Sequence, residues 1–233
     1  MTPKSLARLA GAHYALIIVL GLFAELAVRS TIRVPANPSI TALAIQEDVL
    51  LVQLGVVADV LVFLADVVVA VLLFVLLRPA GHVLALAAAA LRLTGTAIYG
   101  ANLLHMVAAW LLAGGQMAWM TSLSQPQVNE LTLFFLELHA YGYDLGLVFF
   151  GLHCMVLGPL FWRSGAFPGV LGILMMLAGL GYWAGSFTRF LAPDAIGLVE
   201  PVYLFPLVGE LALTGWLLIR GVREGPEAVP SAL

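Results

Sequence analysis

Six apolar runs, each long enough to cross a bilayer, confine this chain to one kind of fold: a bundle of helices in a membrane. Crossing the hydrocarbon takes about 20 apolar residues of helix. No water is available there, so a lone spanning segment must satisfy its backbone within itself, and only a helix does that. The runs cover residues 9–28, 49–77, 83–113, 131–161, 168–190 and 201–219. Proline and glycine punctuate them at Pro35 and Pro38, Arg78-Pro79-Ala80-Gly81, Gly114-Gly115 with Pro126, Arg163-Ser164-Gly165, and Pro193. These residues end helices by removing a donor or by permitting turn geometry. Only 10% of the 233 residues are charged, against about 25% in a soluble domain, so most of the surface is expected to face lipid. The formal charge of −3 gives no footing for nucleic acid, and membrane lipids are the expected partners.

Lys4 and Arg8 precede the first run, as in a signal peptide, but the apolar stretch exceeds the roughly 7–15 residues of a signal core. It reads as a retained helix. Lys4, Arg8, Arg78, Arg163, Arg220 and Arg223 fall on one side of the bundle, and only Arg29 and Arg33 on the other. That bias predicts both termini in the cytoplasm. Residues 1–220 form one transmembrane domain in this reading, 39–48 a short interfacial helix, and 221–233 a disordered tail. The single cysteine, Cys154, excludes an internal disulfide and any multi-cysteine metal site.

The spans are not purely apolar. The fourth carries Glu137, His139, Asp144 and His153, and an ionisable group near mid-bilayer costs roughly 2.5–3.5 kcal/mol or more unless it faces a partner or has a task. With a rise of about 1.5 Å per residue, Asp59, His105, His139 and Glu210 fall in one layer roughly 10–15 Å below the outer face. Asn102 and Tyr182 lie near it, and Glu25 sits closer to the surface. Asp66, Arg92 and Asp144 form a second layer near mid-membrane, with His153 deeper still. Helical phase divides the fourth span further: Glu130, Glu137 and Asp144 recur at seven, whereas His139, Gly142, Gly146 and His153 make a separate stripe.

Several of these residues have a structural reading. Asp66 with Arg92 reads as a buried ion pair, structural or substrate-orienting, with Asp144 and His153 in the same supporting class. Gly142-xxx-Gly146 and Gly181-xxx-Gly185 read as packing ridges. Glu25, Arg29 and Arg189 can sit at the interface with their heads in the headgroup region. Function is expected of His139 and Glu210, which lie deep without a local partner.

Three functional readings stay open. A membrane-embedded enzyme would act on a lipid-like or isoprenoid substrate through Glu25, His139 and Glu210. In its metal-assisted form, His139, Glu210 and Asp59 would bind a divalent ion such as zinc. A small proton-coupled transporter or channel would use the same carboxylates as relays, with Pro206 one turn before Glu210 as a kink. A b-type haem protein would use His139 and His153, fourteen apart on one face, with His105 and either His13 or His82 as opposing ligands.

The chain also resembles a bacterial membrane-protein family known only as a domain of unknown function. The resemblance rests on Arg8-Leu-Ala-Gly, Phe23-Ala-Glu25 with Arg29, Ala65-Asp66-Val-Val-Val-Ala-Val-Leu-Leu and Leu91-Arg92. Leu138-His139-Ala-Tyr-Gly142, Leu147-Val-Phe-Phe-Gly-Leu-His153, Pro168-Gly-Val-Leu-Gly172, Gly179-Leu-Gly-Tyr and Gly209-Glu210 extend it over nearly the whole chain. It implies an integral membrane protein of this length, expected in a bacterial inner membrane, with positions matching Glu25, Asp66, Arg92, His139, His153 and Glu210. It implies no requirement for His13, His82 or His105, which weakens the haem reading.

Overall fold

Every regular element among the described residues, 1–116 and 122–223, is helical in the computed structural model. Six helical segments are long and apolar enough to cross a membrane: Pro3–Ile32, Val49–Ala80, His82–Ala113, Gln125–Ser164, Gly169–Leu191 and Pro201–Ile219. The second contains the α-helix Val49–Leu77, the run read from the sequence. The fourth begins earlier than its apolar run, at Gln125. Pro126 sits in its first turn, where a missing backbone donor costs nothing. The expected interfacial helix is Pro38–Glu47, started by Pro38 and capped by the Asn37 side chain, which accepts from Ile40 N–H. The expected disordered tail, from residue 224 onward, lies outside the described residues. Large apolar side chains such as Leu26, Leu64, Leu104, Phe134 and Val170 are exposed along the spans, as suits a surface covered by lipid.

The chain forms two compact units. One comprises Met1–Leu16, Ala65–Thr96 and Asp144–Leu233, the other Ile17–Leu64 and Ala97–Tyr143. In the first, small residues bring helices close. A Cβ placed on Gly95 would lie 3.2 Å from the Gly146 carbonyl oxygen, and one on Gly158 would lie 2.9 Å from that of Gly172. Without a hydrophobic driving force between helices in lipid, this backbone approach supplies the packing energy. The core of the second unit is Val28, Ile32, Ala42, Ile45, Val52, Leu103, Met106, Ala109, Ala113 and Leu136. Ala42 and Ile45 belong to the short helix Pro38–Glu47, which is therefore packed inward. Two bonds tie it down: Thr41 Oγ1 to the Val34 carbonyl at 3.1 Å, and Gln46 Nε2 to the Ala113 carbonyl at 2.8 Å.

Candidate functional site

The stripe His139, Gly142, Gly146, His153 faces the third span along its whole length, within each unit separately. In the first unit it ends in a closed network. Arg92 is 0% exposed. Its Nε and Nη2 donate to Asp66 Oδ1 at 2.9 and 2.5 Å, and its Nη1 donates to Tyr14 Oη at 3.0 Å. The same Nη1 donates to His153 Nε2 at 3.2 Å, while His153 Nδ1–H donates to the Ala88 carbonyl at 2.8 Å. Thr96 closes the remaining Asp66 oxygen by a short hydrogen bond. The rings of Tyr14 and Phe150 lie 4.7 and 4.9 Å from the guanidinium carbon, close enough for cation–π attraction. Every polar atom named here has a partner, and the formal charges cancel.

The same unit holds two further polar contacts. Asp144 accepts from Arg189 and from Ser186 Oγ at 3.3 Å and Tyr203 Oη at 3.4 Å. Arg189, expected at the interface, is thus turned to a buried carboxylate. Glu210 is buried and accepts a short hydrogen bond from Tyr182.

The second unit is built differently. Residues Phe23–Arg29 form a π-helical turn in the first span, with Ser30 N–H reaching the Glu25 carbonyl. Such turns insert an extra residue into a helix and recur at functional sites. This one carries Glu25 and Arg29. Arg29 Nε donates to Glu25 Oε2 and its Nη1 to Asp59 Oδ2, both at 2.7 Å. The Arg29 side chain is only 12% exposed, so it does not reach outward to the interface as expected of it; Asp59 draws it in. Glu25, in contrast, is 59% exposed in its side chain. Two carboxylates thus share one guanidinium. The Tyr143 ring lies 5.6 Å from Arg29 Cζ and stacks on Tyr99, with centroids 4.8 Å apart. At the edge of this unit Arg33 makes a bidentate pair with Glu137 at 2.9 and 2.7 Å. Those bonds hold the Arg33 guanidinium protonated above its already high ordinary range.

His139 stands beside this group. Asn102 fixes it: His105 Nδ1–H donates to Asn102 Oδ1 at 2.9 Å, which sets the amide so that its Nδ2 donates to the His139 carbonyl at 2.8 Å. His139 Nδ1 lies 3.2 Å from both the carbonyl oxygen and the side-chain Nδ2 of Asn102. The residue is 4% exposed, and Nε2 is buried with no hydrogen-bond partner. The ring is tilted against Tyr143 at 6.3 Å, and the charges that act on it are first Arg29, then Glu25. Gly142 makes room for this arrangement, because a Cβ there would overlap the Asn102 side chain.

The expected metal ligands are not gathered. His139 and Asp59 belong to one unit and Glu210 to the other, and among the described residues no three His, Cys, Asp or Glu side chains form a ligand set. Shared depth fixes a level in the bundle but not a direction around each helix; Asp59 is taken by Arg29 and Glu210 by Tyr182. Glu25, His139 and Glu210 likewise form no such set among the described residues. The haem reading meets a direct obstacle, since both ring nitrogens of His153 are engaged. Arg29, Asn102 and Tyr143 were not among the expected functional residues. Their signals were the one-turn spacing of Glu25 and Arg29 and the shared face of Asn102 and His105.

Comparison with known proteins agrees with this picture at the level of family. The family model described as "Domain of unknown function (DUF4386)" matches residues 9–221, which takes in all six spans and both arginine clusters. An uncharacterized protein of Archaeoglobus fulgidus is 34% identical over 95 residues, which is 41% of this chain and 52% of that protein. The match therefore covers about half the length of this curated relative. No solved structure matches. With nearly the whole chain matched by one family model, the protein belongs to the DUF4386 family, an uncharacterised domain family whose member here carries six membrane-spanning-type helices.

Proposed function

We propose that this is a membrane-embedded enzyme acting on a lipid-like substrate, and that its working site is the cluster of Glu25, Arg29, Asp59, Tyr143 and His139. The single observation that carries this reading is the buried, unpartnered Nε2 of His139. An orphaned polar atom in a dry site costs about 1–3 kcal/mol, and such a cost is retained where the atom has a task. In the tautomer whose Nδ1–H donates to the Asn102 carbonyl, Nε2 carries the lone pair and is a general base that can take a proton from a hydroxyl or from water. Arg29 donates to the two carboxylates from Nε and Nη1, and a guanidinium is suited to the oxygen on which negative charge then grows. Asp59 would hold Arg29 in place, and the exposed Glu25 carboxylate would meet the polar end of an amphiphile. Asn102, oriented by His105, would hold the His139 ring in place. Glu210 has no part in this proposal. By the distribution of basic residues, both termini would lie on the cytoplasmic side of the membrane.

The test is turnover in lipid. The full chain reconstituted in vesicles of bacterial polar lipid extract should change the lipid profile seen by mass spectrometry. His139→Gln, of similar size and polarity, should abolish the change while leaving detergent thermal unfolding nearly as in wild type. A profile untouched by the wild-type protein, or one altered equally by His139→Gln, contradicts the reading. A proton-coupled transporter is the second reading, favoured by the buried Glu210–Tyr182 bond one turn beyond Pro206. It predicts proton movement into vesicles that Glu210→Gln stops and His139→Gln does not.

A further inference from the structure

The end of the sixth span forms a basic groove. Its helix stops where Gly221 takes φ +71°, a left-handed value that glycine adopts without strain. Arg220 N–H and Gly221 N–H both return to the Trp216 carbonyl at 2.9 Å, satisfying the helix end. The chain then doubles back, and Arg223 N–H donates to the Ala166 carbonyl at 3.1 Å. The absence of a side chain on Gly221 lets Lys4, from the start of the first span, come close: a Cβ there would lie 3.1 Å from Lys4 Cγ.

The result is an open groove of about 500 Å³ lined by Lys4, Trp216, Ile219, Arg220, Val222 and Arg223. Among the described residues three cations and no carboxylate line it, and none of the three is in an ion pair. Arg223 lies over the Trp216 ring at 5.5 Å, and the buried Trp216 Nε1 has no hydrogen-bond partner. Among the described residues, like charges are gathered here without a counter-ion.

We propose that this groove binds the phosphate of an anionic phospholipid. The ligand chemistry is that of a phosphate oxyanion: guanidinium and ammonium donors line the groove beside the Trp216 ring. A lipid headgroup is favoured over a free anion by position. Lys4 lies at the start of one spanning segment and Arg220 immediately after the end of another, where headgroups sit. Ile219 and Trp216 offer apolar and amphipathic contact for the glycerol and upper acyl chain.

The experiment titrates the purified full chain in detergent with dioleoyl phosphatidylglycerol, with dioleoyl phosphatidylcholine and, separately, with inorganic phosphate, counting bound lipid by native mass spectrometry. At about 1 kcal/mol per basic residue near the surface, each of Lys4→Gln, Arg220→Gln and Arg223→Gln should weaken phosphatidylglycerol about fivefold, and the triple variant about a hundredfold. Phosphatidylcholine affinity should barely move. The positions are exposed, so folding of the triple variant is checked by its thermal unfolding. Gly221→Val, which displaces Lys4 without changing charge, should also lose selectivity. Equal retention of the two lipids by wild type, or selectivity surviving in the triple variant, overturns the proposal. Competition by millimolar phosphate as effective as lipid overturns the lipid source and leaves a free-anion site.

Discussion

In one unit an aspartate, a histidine and a tyrosine gather around Arg92; in the other the same three residue types gather around Arg29. The aspartates are seven residues apart on the second span and the histidines fourteen apart on the fourth. Around Arg92 every hydrogen-bonding nitrogen of the guanidinium is used and one carboxylate, Asp66, is bonded to it. Around Arg29 two carboxylates share the guanidinium, a π-helical turn carries two of the groups, and one imidazole nitrogen has no partner. Identical residue types thus serve opposite ends: a saturated network specifies a core, whereas an unsaturated one retains capacity for a ligand.

The largest effect that could break this contrast is at Arg92. Arg92→Leu leaves the Asp66 carboxylate buried and unpaired and should cost about 3–5 kcal/mol, read as a collapse of the thermal unfolding transition in detergent. Adding Asp66→Leu should restore much of the loss, because a buried pair can be replaced by apolar residues at little net cost. A folded Arg92→Leu chain of wild-type stability would refute the structural role.

Gly142→Ala should have a smaller effect on stability, at most about 1–3 kcal/mol, and a larger one on turnover. The added methyl meets the Asn102 side chain, which yields more easily than backbone and in yielding releases His139. Loss of stability without loss of turnover would show that Asn102 does not hold the base. The smallest effect belongs to the rim. Arg33→Gln or Glu137→Gln removes a pair about one-third exposed on each side and should cost under about 1 kcal/mol, shrinking as salt is raised.

Much of this was legible in the chain. Length and hydropathy determine the six spans, and the seven-residue period correctly separates the carboxylates of the fourth span from its histidines. The Asp66–Arg92 pairing was readable because an unpaired guanidinium at that depth would be intolerable. Directions around each helix were not readable. Depth put Asp59, His139 and Glu210 in one layer, but a rise of about 1.5 Å per residue carries no azimuth between helices. Arg29 and Arg189 looked interfacial because each lies near a span end; their buried carboxylate partners are 30 and 45 residues away in sequence. The π-helical turn has no sequence signal, since Phe23–Arg29 contains neither proline nor glycine.

The most direct test compares the two histidines by the same substitution. His153→Phe strands an Arg92 donor and the Ala88 carbonyl in a dry core and should lower stability by about 2–3 kcal/mol. His139→Phe removes a nitrogen that has no partner and one long bond to Asn102, and should cost under about 1 kcal/mol while abolishing turnover. Thermal unfolding of both variants in one detergent measures the difference. A clear gap with His153→Phe the less stable is the predicted result; equal costs, or His139→Phe the less stable, would contradict the division into a closed core and a working site.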